Sequence, residues 1–207
     1  MPMIIYQPLQ ATQQQFVEFW SLRYQDKQEH LYLSNIGQEL TEKRILKLYQ
    51  WKNGTPLSAG KLASVEDNFV KRRIELAKLP PDISANDFLA HFKNGGVIWR
   101  IFWLHCWQPT RFPIFDQHVH RATTFISNGV PEEIPKYDPR KIVAYVDRYL
   151  PFHAQFATID RRAVDKALWA FGKFINEVNF PWVSPNVKPV SQGPNAVLGI
   201  EPAGTLK

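Results

Sequence analysis

The chain has 207 residues, of which 44% are apolar and 14% aromatic, enough to bury one sizeable core and too much to be generally disordered. A formal net charge of +6 and a pI near 9.4 are compatible with a polyanionic partner without requiring one. The single cysteine, Cys106, excludes an intrachain disulfide and any four-cysteine zinc or iron–sulfur centre, and its apolar neighbours make it a buried small hydrophobe. No apolar run approaches the roughly 20 residues that span a bilayer, so no membrane partner is expected. The start, Met1-Pro2-Met3-Ile4-Ile5-Tyr6-Gln7, lacks the basic and apolar segments of a secretory leader, and the expected location is cytoplasmic.

Apolar spacing and capping residues predict a succession of helices. The first opens at Thr12, whose hydroxyl and the Gln15 side chain can cap each other's amides, with Phe16, Phe19 and Trp20 on one face. A second covers residues 41–51, turns Ile45, Leu48 and Tyr49 inward and stops at Lys52-Asn53-Gly54. A longer, charged helix is predicted over residues 61–79, with Val65, Phe69, Ile74 and Leu76 apolar, Lys71, Arg72 and Arg73 on a solvated face, and Pro80-Pro81 as its end. Ser84 and Asp87 cap a short helix over 85–92, and Lys93-Asn94-Gly95-Gly96 then forms a tight turn.

Residues 97–107 are apolar nearly all round, apart from Arg100 and His105, and predict a central helix whose Trp99, Trp103 and Trp107 form a core stripe. After Pro109 and Pro113, Asp116 heads a helix that stops at Asn128-Gly129. Asp138 as cap and Pro139 in the first turn open another, carried by Ile142, Val143, Tyr145 and Val146. The last helix covers 160–178, with Val164, Leu168, Phe171, Phe174 and Ile175 inward and Asp165, Lys166 and Lys173 outward. No segment alternates as a strand, so the expected fold class is all-α. A helical domain over residues 1–180 is followed by an extended or poorly ordered Pro/Gly-rich arm over 181–207.

The segment richest in chemistry is Phe112-Pro113-Ile114-Phe115-Asp116-Gln117-His118-Val119-His120-Arg121-Ala122, which sets one carboxylate where a stiffened loop enters a helix. Taken from Asn94 to Arg121, the chain reads turn, buried helix, proline loop, then Asp-x-His-Val-x-Arg. That order resembles the helix-hairpin-helix DNA glycosylases, in which a hairpin and a long apolar helix lead to a helix beginning Val-Asp-Thr-His-Val-x-Arg. Gly96 stands at the second glycine of the hairpin signature and Asn94 at the first, where asparagine is the substitute that best tolerates a left-handed backbone.

The resemblance covers residues 87–125 and implies a compact multi-helix glycosylase-like fold, DNA as partner and Asp116 as the catalytic carboxylate of base excision. It implies backbone anchoring by Lys93, Asn94, Gly95 and Gly96, with Arg111 and Arg121 as further nucleic-acid contacts. The lysine nucleophile of bifunctional members falls at Ile98, and the cysteines that hold a cluster in some members are missing. The implied activity is therefore monofunctional and needs no metal or other cofactor. Arg100 replaces the small alanine of the hairpin pattern, and Lys93 and Val97 also depart from it. Tyr24, Trp51, Lys52 and Trp169 are candidates for the wall of a base pocket.

Four other readings stay open at this level. Asp116 is also a good N-cap, a role worth about 1 kcal/mol and compatible with catalysis. The scaffold could bind nucleic acid without excising a base, or serve as an all-α protein-interaction module. Asp116, His118, His120 and His105 could form a metal site, although residues two apart on a helix diverge.

Overall fold

A computed structural model describes residues 11–178; the first ten residues and the arm expected over 181–207 lie outside them. Among the described residues every regular element is helical, as expected.

Helix α1 (Gln13–Ser21) opens with the reciprocal Thr12/Gln15 cap. Phe16 and Trp20 pack on Phe171, whereas Phe19 lies half exposed under the Arg23 guanidinium. A five-residue α2 (Glu29–Leu33), not predicted, follows. Helix α3 (Glu42–Asn53) is capped by Thr41 and ends on left-handed Gly54, with Ile45, Leu48 and Tyr49 buried.

The helix predicted over 61–79 is broken. Helix α4 (Ala59–Val65) widens into a π-helical stretch (Glu66–Val70), whose end is marked by the Lys71 amide bonding the Glu66 carbonyl five residues back. A 3₁₀ segment (Arg73–Lys78) then begins. The basic triplet does more than face solvent: Arg73 donates to the Val70 carbonyl and Arg72 pairs bidentately with Glu75, which fixes the break. Ile74, predicted as part of the apolar face, is exposed.

Helix α5 (Ala85–His91) and helix α6 (Val97–Trp107) flank the glycine turn. Gly95 has φ +92°, and a Cβ there would stand 2.7 Å from the Phe69 ring, so both conformation and space demand glycine. Arg100, at the expected alanine, is buried and donates to the Leu89 and Phe92 carbonyls, tying the end of α5 across the turn to α6. Eight of the eleven residues of α6 are buried, which makes it the central element. Trp103 is fully buried and Trp107 stacks on Phe88. Cys106 is a buried free thiol.

Helix α7 (Gln117–Asn128) starts on Asp116 and ends on left-handed Gly129. Helix α8 (Asp138–Val143) starts one residue earlier than predicted, with Tyr137 at the cap: Asp138 lies in the first turn and pairs with Lys141 instead. It runs into a π-helical stretch (Ala144–Tyr149) and an unpredicted α9 (Leu150–Ala154). Helix α10 (Arg161–Val178) crosses α7 closely enough that a Cβ at Gly172 would stand 1.8 Å from the His118 carbonyl oxygen. Asp165, predicted to face outward, is buried, because α9 and the preceding stretch cover that side of α10.

Candidate functional site

The loop before α7 is held by side chains from three other elements. The His105 ring of α6 lies 2.7 Å from the Phe112 carbonyl, Tyr145 donates to the Pro113 carbonyl at 3.3 Å, and Lys52 of α3 donates to the Phe115 carbonyl at 3.2 Å. A carbonyl only accepts, so His105 carries its proton on Nδ1, and Nε2 accepts from the Tyr32 hydroxyl at 2.8 Å. Burial pushes the His105 pKa down to about 3, which keeps that bonding pattern at neutral pH.

Asp116 follows this clamped loop in an extended conformation. Its Oδ1 accepts from the His118 and Val119 amides at 2.9 and 3.0 Å, and Oδ2 faces the Lys52 ammonium at 3.4 Å. Burial raises its pKa, but the Lys52 charge, the Val119 amide and nearby His118 outweigh burial and leave the pKa below the ordinary carboxylate value. The side chain of Lys52 is 6% exposed and that of Asp116 21%, so the lysine backs the aspartate and the aspartate meets solvent.

Asp116 opens on a cavity of about 440 Å³, within the size range of small-molecule sites. The four pocket candidates from sequence, Tyr24, Trp51, Lys52 and Trp169, all line it, although they come from separate parts of the chain. Trp99 also lines it, so one of the three tryptophans read as core stripe is a cavity wall. His118 lies edge-on to Trp169 with its pKa lowered by burial. Arg162, sandwiched near the Tyr24, Tyr32 and Trp51 rings, pairs with Glu29 at 2.7 Å, and Asp165 completes the wall from α10.

The turn lies next to this cavity. Gly95 and Gly96 line a neighbouring hollow of about 390 Å³ together with Lys61 and Lys141, and Ile98 and Trp99 belong to both walls. Lys93 and Asn94 are exposed at the turn. Arg111 and Arg121 stand apart from both hollows. Arg111 donates to the Pro81 and Asp82 carbonyls, and Arg121 is buried in a two-pronged pair with Glu133 at 2.8 and 2.9 Å.

His120 packs edge-on against Phe115, away from His118, and among the described residues no three His, Cys, Asp or Glu side chains gather as a metal site. Sequence reasoning missed Arg162, Asp165 and Trp99 as wall residues. The signal for Asp165 was its place three residues before Leu168 and seven before Gly172, on the stripe that turns inward. No family model matches the chain, and neither a curated protein nor a solved structure matches it.

Proposed function

We propose that the chain is a monofunctional DNA N-glycosylase-like enzyme that hydrolyses the N-glycosidic bond of a damaged or modified base. The observation that carries this reading is the ionised Asp116 carboxylate, fixed by two helix amides and Lys52 at the edge of an aromatic cavity beside a glycine turn. Breaking the C1′–N bond sends its electron pair to the base and leaves positive charge on the deoxyribose. A preoriented anion lowers the energy of that charge and positions the attacking water. The tryptophan and tyrosine walls offer stacking surfaces to a base extruded from the duplex.

In the adjacent hollow, the turn's glycines leave room for a phosphate, with Lys61 and Lys141 at its walls. Lys52 is committed to the Phe115 carbonyl and Asp116, and Ile98 has no amine, which supports water as the nucleophile.

The test incubates wild-type protein and Asp116→Asn with duplexes carrying deaminated, alkylated, oxidised and bulky modified bases, and reads abasic sites by alkaline cleavage. Wild type is expected to generate abasic sites. Asp116→Asn is expected to bind as well but react about 10²–10⁴-fold more slowly. Borohydride is expected to trap no protein–DNA adduct. Wild type that leaves every substrate intact would sink the reading.

A further inference from the structure

We propose that Asp165 is a second catalytic carboxyl of this cavity, the general acid that gives the departing base its proton while Asp116 holds the sugar cation. This rests on the base-excision reading and adds a residue and a substrate distinction to it.

The two aspartates line one cavity from different helices, Asp116 at the head of α7 and Asp165 in the second turn of α10. Their surroundings are opposite. Asp116 has a lysine against it, whereas among the described residues no lysine or arginine pairs with Asp165, whose side chain is 6% exposed. The cations within reach are engaged elsewhere: Arg162 on the same helix with Glu29, and Lys52 of α3 with Asp116. Oδ1 accepts from the Tyr149 hydroxyl at 3.3 Å and faces His153 Nε2 at 3.7 Å, a buried nitrogen with no hydrogen-bond partner among the described residues.

A buried carboxyl without a counter-charge is most stable with its proton on. Burial raises the Asp165 pKa to about 7, against the lowering effects of Arg162, the Ile114 amide, Tyr149 and Lys52. The remaining neighbours add no cation. His153 of α9 is neutral because burial lowers its pKa to about 4, and burial keeps Tyr32, Tyr145 and Tyr149 protonated. Asp116 across the cavity is ionised. Two carboxyls whose settings drive them to opposite protonation states divide acid and anion roles between them.

The step balances. The C1′–N bond breaks with its electron pair passing to the base, and the Asp165 proton moves onto the base. Water oxygen bonds C1′ and releases one proton, which returns through solvent to the Asp165 carboxylate. One water is consumed, and a free base and an abasic site are formed. A neutral base leaves as an anion unless it gains this proton, which makes it a better leaving group; a base already cationic through N-alkylation leaves neutral without it.

The experiment measures single-turnover base release from about pH 5 to about pH 9 with neutral and cationic N-alkylated bases, for wild type, Asp165→Asn and Tyr149→Phe. For a neutral base, the wild-type rate is expected to fall about tenfold per pH unit above about pH 7. Asp165→Asn is expected to lose that limb and about 10²-fold in rate on the neutral base, yet stay within about threefold of wild type on the cationic one. Tyr149→Phe removes a hydrogen bond that favours the carboxylate, and it is expected to move the limb to higher pH; it carries the test if Asp165→Asn does not fold.

An unchanged limb in the variants, or equal losses on neutral and cationic bases, overturns the role of Asp165 and leaves base excision standing. The same holds if wild type releases only cationic bases. No release of any base by wild type overturns both readings.

Discussion

At the scale of single residues, the site depends on groups that never touch its cavity. His105 is buried in α6, yet its two ring nitrogens join the Phe112 carbonyl to the Tyr32 hydroxyl and so set where the loop delivers Asp116. His105→Phe keeps the bulk but leaves a buried carbonyl and a buried hydroxyl unpaired, which is expected to destabilise the protein by on the order of 2–4 kcal/mol in urea unfolding. Tyr32→Phe orphans only Nε2 and is expected to cost less, and the double variant is expected to cost less than the sum of the two. Strict additivity would mean that the pair does not act as a unit. Such pairing is invisible in the sequence, where Tyr32 and His105 stand 73 residues apart. Asp116 was legible because its chemistry is local: a loop, a cap and a short motif. Asp165 was not, since whether a helical carboxylate faces water is decided by what packs over it.

At the scale of elements, the α7/α10 crossing is a close one, with no room for a side chain at its glycine. There Gly172 lies against the backbone of His118, two residues after Asp116. Gly172→Ala puts a methyl where a carbonyl oxygen stands 1.8 Å away, so the helices must separate. The expected loss is about 1–3 kcal/mol or more, and because α7 carries Asp116 at its head, the cavity opens with it. Gly60 in α4 has nothing within 4 Å of its would-be Cβ, and Gly60→Ala is expected to stabilise by about 0.5–1 kcal/mol through helix propensity alone. Thermal melts of the two variants check the contrast; equal shifts would show that the crossing is looser than described. The longer helices were legible because caps and periodicity act within a few residues. The five-residue α2 and α9 are too short for a period to register, and the break after Val70 depends on arginine contacts with carbonyls and Glu75 that a helical wheel does not contain.

At the scale of the whole molecule, the buried ionisable groups pull stability in opposite directions with pH. His105 and His153 fall from 6.5 to about 3 and about 4, so the unfolded chain binds more protons than the native one below pH 6.5, and stability drops on acidification through that window. Asp165 rises from 3.8 to about 7, so here the native state binds the extra proton, and its contribution is lost as pH rises from about 4 to about 7. Together these place the wild-type optimum near about pH 6.5, where the histidine slope has ended and the aspartate slope has not. Asp165→Asn removes only the second effect. Its unfolding free energy relative to wild type is therefore expected to improve by about 3 kcal/mol between about pH 5 and about pH 8, at 1.36 kcal/mol per pKa unit. Urea unfolding of the full chain at those two pH values measures the difference without reference to any substrate. A difference between variant and wild type that stays constant with pH would mean that Asp165 is ionised throughout, and the acid role assigned to it would fall on stability data alone.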